Sequence, residues 1–380
     1  MTESIWITGI GLVSSLGEGI ALHQAALAGA APVVDAESFA PYPVHPLPAL
    51  DLDRQIPKKG DQRQMEPWQR LGTYAAGLAI DHAGARDLVR DMHLIVAAGG
   101  GERDAALDQA VAAEIAALPP AEGAKLLNER LANGLRPTLF LAQLSNLLAG
   151  NISIVHGVTG SSRTFMGEES AAADAVRIAA ARLGEGRGGI ALVGGAYVAG
   201  RWDMLLLYGA SGQLWRGDWV PLADRMAAGG GLVTGTAAAF LVLETEAHAR
   251  ARGATGIARL GAVRTGAARR RGADTAEASA ARLAADLPLK PDYAVLSGAT
   301  GAAVPTAAEA AFLAGLRAAG PAQGAMHHTA DLIGHPVEAA FPAGLALAAL
   351  TVAAGAAPQA LVTGFGVWRG EALALVEPIA

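Results

Sequence analysis

Short apolar runs ending in glycine alternate along this chain with long alanine-rich segments of helical character, a pattern that restricts the fold to buried strands covered by helices. Strands are expected at Ile5 to Ile10, His93 to Ala97, Arg163 to Met166, Ile190 to Val193, Ala237 to Leu243, Ile257 to Arg264, Tyr293 to Ser297 and Ala360 to Thr363. Helices are expected at Gln69 to Ala83, Ala105 to Ala117, Leu139 to Leu148, Ser170 to Leu183, Thr275 to Leu287, Thr306 to Leu316 and Phe341 to Ala353. Such a layout is α/β. The runs IALVGG and ALVTGFG are alike, each a buried strand entering glycines, which points to two similar halves. The polar stretch Glu246 to Gly253 is the best junction between them, and the halves are placed at residues 1–246 and 247–380.

Two segments, Leu50 to Gln64 and Tyr197 to Gly230, fit neither period and read as functional or interface loops. The second carries Trp202, Tyr208, Trp215 and Trp219, whose burial is expected either against another surface or on the parent domain. The opening MTESIWITGIGLVSSLG has no basic n-region and reads as a strand entering a glycine turn, so no signal peptide is expected. The most apolar stretch, FPAGLALAALTVAAGAAPQALVTGFG, is interrupted by prolines and reads as a buried helix followed by a buried strand, not as a membrane span. A cytoplasmic protein is expected. The net charge of −6 gives no electrostatic case for nucleic acid or an anionic membrane. The chain contains no cysteine, which excludes disulfides, thiolate metal sites and cysteine-based covalent catalysis.

Gly9-Ile-Gly11 follows a strand but lacks the third glycine of a dinucleotide fingerprint, and no helix clearly opens after it. No phosphate-binding lysine loop and no serine elbow occurs. His327, Asp331 and His335 are four residues apart, but Gly334 and Pro336 argue against the continuous helix that a metal site would need. No metal and no cofactor is expected.

Several segments together resemble the ketosynthases, the condensing enzymes that join a malonyl unit to an acyl chain on acyl carrier protein. The start WITGIGLVSSLG is similar to the family's opening strand, and Asn151-Ile-Ser-Ile with Gly157 and Gly160 to the approach to its nucleophile. Gly194-Gly195-Ala196, the run from Gly231 to Glu244 and the linker Ala247 to Gly253 follow in family order. Gly334-His335 and Gly364-Phe365-Gly366 complete the set. The resemblance implies a thiolase-like fold: two pseudo-duplicated halves, each with a mixed five-stranded sheet, layered α-β-α-β-α.

The family's reactive residues are largely replaced here. Its nucleophilic cysteine, at a helix N-terminus, matches Glu169 in Met166-Gly-Glu-Glu-Ser170, and its first histidine matches Gly298. The lysine matches Ala330, and the acidic residue of the mid-chain glycine motif matches Thr236. His335 alone stands in place, with Glu338 one turn beyond. Phe365 matches the gatekeeping aromatic, but Val367-Trp368-Arg369 follows where small and polar residues are usual. Met166, Glu168, Thr236, Glu338, Phe365 and Trp368 are expected around the pocket or at an interface, and no residue is assigned as catalytic.

A scaffold retained with its reactive set dismantled resembles the chain-length factors, non-condensing subunits that pair with an active ketosynthase. The resemblance therefore implies a heterodimer with a cysteine-containing ketosynthase in fatty-acid, polyene or polyketide synthesis, with acyl carrier protein engaged through that partner. The alternatives are a malonyl-carrier decarboxylase or atypical synthase, and a stand-alone acyl-chain or acyl-carrier binding module. An anionic Glu169 weighs against decarboxylation because it would repel the developing enolate.

Overall fold

A computed structural model describes residues 3–101, 103–136 and 139–379. Its strands are β1 (Ile5–Ser14), β2 (Gly17–Glu18), β3 (His93–Ala97), β4 (Ser162–Phe165), β5 (Ile190–Tyr197) and β6 (Ala237–Thr245), then β7 (Ala258–Gly266), β8 (Tyr293–Ser297), β9 (Gln323–His328), β10 (Ala360–Phe365) and β11 (Glu371–Glu377). They run in the order β4-β3-β5-β6-β1-β7-β11-β10-β8-β9, with β2 as a short hairpin on β1.

This order is one five-strand pattern used twice. In the first half β4, β3 and β5 are parallel, and β6 and β1 follow antiparallel. In the second half β9, β8 and β10 are parallel, and β11 and β7 follow antiparallel. The fifth member of each pattern is its first strand in the chain, β1 or β7. These two meet over the three residues from Ile5 to Ile7, which joins the sheets edge to edge.

Two helices form the middle layer between the sheets. Glu168–Gly184 and Ala340–Ala353 bury Ala172, Val176, Ala346 and Leu347 in one cluster with Ile7 and Leu241 of the first sheet and Ala294 and Val362 of the second. Small residues suit a helix covered on both sides because they let backbones approach closely. The outer layers are the helix Pro67–His82 on the first sheet and the helices Ala276–Ala284 and Ala303–Ala319 on the second. The α-β-α-β-α order is thus complete. The apolar stretch near the C-terminus is the buried helix Ala340–Ala353 followed by β10, and among the described residues no helix is long and apolar enough to cross a membrane.

Gly9 and Gly11 serve packing. A Cβ on either would overlap a carbonyl oxygen of the helix Pro67–His82, that of Ala79 or of Ala75. The strand runs on to Ser14 and turns into β2, so no helix opens directly after the glycines. Near the end of β6, the wholly buried Glu244 accepts hydrogen bonds from Thr8, from His248 Nδ1 at 2.7 Å and from Arg252 Nε at 2.8 Å. Arg252 also donates to the carbonyl of Ala83 at 2.9 Å, tying the linker to the end of the outer helix.

Two expectations need correction. The single helix Leu139 to Leu148 is two helices, Leu139–Ala142 and Leu147–His156, because the intervening Ser145-Asn146 pair favours turns over helix interiors. The segments read as irregular contain the helices Lys59–Gln64, Trp202–Ala210 and Leu222–Ala227. Of the two settings left open for the aromatics of the second segment, contacts within the chain are seen for two: Tyr208 is fully buried, and Trp202, still 44% exposed, packs on Phe39 with ring centroids 4.9 Å apart.

Candidate functional site

The helix Glu168–Gly184 starts shortly after β4 through Gly167, whose φ of 136° lets the chain turn sharply. Glu169, its second residue, is 7% exposed, and its carboxylate faces the second half of the molecule. There His335 Nε2 donates to its Oε1 at 2.7 Å and the Val367 amide donates at 3.4 Å. Burial alone would push the Glu169 carboxyl up. The bond and charge of His335, with the amides of Glu169 itself and Val367, outweigh that and hold the carboxyl below its ordinary value.

His335 is fixed by its backbone. Its amide donates to Val233 O at 2.8 Å, and its carbonyl accepts from Gly235 N at 3.0 Å, stitching it to the mid-chain glycine segment. Gly334, with φ of 70°, ends the short helix Thr329–Ile333, so His327, Asp331 and His335 do not share one helix face. Asp331 Oδ1 instead accepts from Leu222 N at 2.7 Å. Among the described residues no group of three His, Cys, Asp or Glu side chains is placed to hold a metal ion.

The other expected positions divide. Gly298 follows β8, donates its amide to Thr363 Oγ1 at 3.0 Å, and has no room for a side chain, since a Cβ there would overlap the Thr363 carbonyl oxygen. Gly298 and Phe365 line the same narrow cavity, of about 90 Å³, that reaches Glu169. Ala330 is buried in its short helix and does not line that cavity. Thr236 is fully buried, and its hydroxyl accepts from Ala199 N at 2.9 Å. Met166 lies outside the centre, 66% exposed beside β4. Glu338 is buried, and burial first, then the charge of Glu169, push its carboxyl up to about 7.

Trp368 belongs to the loop whose Val367 amide reaches Glu169. Its ring is parallel to that of the buried Tyr208, with centroids 6.1 Å apart, while Arg369 pairs with Glu168 at 3.1 Å. Phe365 turns inward and packs on Phe312, with centroids 5.9 Å apart.

One buried group has no place among the expected residues. Glu309, on the helix Ala303–Ala319, accepts from Ser297 Oγ at 2.9 Å and from Thr363 Oγ1, the same hydroxyl that receives the Gly298 amide. Burial raises its carboxyl to about 7 despite those bonds. The available signal was a lone acid in the apolar run TAAEAAFL, one turn before Phe312 and Leu313.

What the centre can do chemically follows from its donors and acceptors. It has no thiol, its carboxylate is engaged by His335 and by a backbone amide, and a carboxylate is a far poorer acyl acceptor than a thiolate.

Known proteins share this architecture. Residues 47–249 match the family model for the beta-ketoacyl synthase N-terminal domain, more than half of the chain. Among solved structures, the ishigamide ketosynthase/chain length factor superposes with a TM-score of 0.81 at 19% identity, and a beta-ketoacyl synthase from Burkholderia phymatum STM815 with 0.78 at 18%. A type II PKS acyl-carrier protein in complex with its ketosynthase gives 0.76 at 17%. All three alignments cover 100% of both chains. No curated protein matches. This chain belongs to the beta-ketoacyl synthase family.

Proposed function

We propose that this chain is a non-condensing, chain-length-factor-like subunit that pairs with an active, cysteine-containing ketosynthase in fatty-acid or polyketide synthesis. The observation that carries this reading is Glu169, at the position matched to the family's nucleophile, bound to His335 in a chain without cysteine. The name of one similar structure, a ketosynthase/chain length factor, supports it. Acyl carrier protein would engage the pair through the active partner, and the cytoplasm is the proposed compartment. We place the boundary between the halves after Glu246, at the start of the linker clamped by Glu244.

The surface supports a partner. β4 is the outer strand of the first half; Met166, which directly follows it, is 66% exposed, and Ile154, on the helix Leu147–His156 that packs against β4, is 71% exposed. An uncovered strand edge beside apolar side chains is a template for pairing with another chain. The test is co-expression of this chain, tagged, with a cysteine-containing ketosynthase from the same source. Recovery of a one-to-one complex supports the reading. A chain that stays alone, or pairs only with itself, contradicts it.

A further inference from the structure

The loop Gly366 to Gly370, between β10 and β11, is held from several directions. Val367 donates its amide to Glu169, and Arg369 Nη2 donates to Glu168 Oε2 at 3.1 Å. Arg270 donates to the carbonyls of Gly366 at 2.8 Å and Val367 at 3.0 Å. Trp368 stacks on Tyr208, and Val367 is buried with Tyr208, Leu232 and Ala302. The loop ends press on the helix start: a Cβ on Gly366 would lie 3.0 Å from Glu169 Oε2, and one on Gly370 would lie 2.5 Å from Ser170 Cβ.

Glu168 supplies a second, independent observation. Its φ of 52° is in the left-handed region that a side chain other than glycine rarely adopts. Such a backbone persists only where surrounding contacts hold it, and here it carries the carboxylate that pairs with Arg369. Two successive carboxylates from the first half therefore grip the second half, one outside through Arg369 and one inside through His335 and Val367.

We propose that Glu168 and Glu169 form a two-pronged latch that holds the loop Gly366 to Gly370, anchored by the Trp368 ring on Tyr208, shut beside the cavity that Gly366, Arg369 and Gly370 line, so that this chain admits no thioester to the position of Glu169. The latch stands on contacts within this chain and goes beyond the partner reading.

The absence of cysteine makes a direct test clean. Ala173, 2% exposed on the cavity wall, is replaced to give a single reporter thiol, A173C, and its reaction with dithionitrobenzoate is timed. Slow reaction is expected in A173C, with a rise of about tenfold or more when E168A and E169Q are added or when W368A is added, because local opening sets access. Melting of each variant establishes that it is folded. An unchanged rate in the folded variants, or a rate in A173C equal to that of a control thiol at the exposed Ser38, overturns the latch. If the double carboxylate variant does not fold, W368A, which leaves both carboxylates in place, decides by the same criterion. A failed co-purification with a synthase would leave these rates unaffected, so the two readings fail separately.

Discussion

Glu169 exchanges hydration for a histidine and backbone amides, and the exchange is favourable only while those partners stay in place. Removing one member of a buried pair strands the other, so E169A is expected to cost about 3 kcal/mol, read as a lower midpoint in denaturant. Because its carboxyl is held below the ordinary 4.5, the stabilisation is present above that value and is lost as pH falls through the lowered one. Glu309 has the opposite sign. Its carboxyl is raised from 4.5 to about 7, so the unfolded chain releases this proton first, and stability is lost as pH rises across that window. E309Q removes the dependence, and its melting temperature relative to the unaltered chain should therefore rise as pH increases from 4.5 through 7. A flat difference across that range would contradict the assignment. Glu169 and Gly298 were identifiable in the sequence from their spacing to family landmarks. The His335 contact was not, because it joins residues 166 positions apart.

Close packing of helix on strand decides what the elements tolerate. G11A places a methyl group on the Ala75 carbonyl and is expected to cost about 1–3 kcal/mol, the usual range for overpacking, measured by equilibrium unfolding. G298H meets the Thr363 carbonyl in the same way, so E169C with G298H should lower stability without restoring condensation in a product assay. At the β4 edge, I154D and M166D should leave the melting temperature unchanged while abolishing recovery of the partner, since both residues are exposed in this chain. Most strands were legible because their apolar runs end in glycine. β9 was not, since Gln323-Gly-Ala-Met-His-His carries no β-branched residue, and it forms through pairing with β8. Nor was β11, whose run EALALVE is buried along its whole length and so shows no alternation of an exposed polar face.

At the scale of the molecule, one strand order used twice encloses two alanine-rich helices, and the N-terminal ends of both border the cavity that reaches Glu169. The duplication was readable as a likeness between IALVGG and ALVTGFG, which are β5 and β10, each the third strand in the spatial order of its half. The edge-to-edge joining of the sheets through β1 and β7 was not readable, because it depends on three residue pairs far apart in sequence. A scaffold kept whole around a centre without a thiol leads to one decisive experiment. Malonyl-dependent product formation is measured for the chain alone, for a cysteine-containing ketosynthase alone, and for the two co-expressed. Activity of the pair that exceeds either alone, and that vanishes when the partner's cysteine is replaced, is the expected result. Condensation by this chain alone would contradict the account.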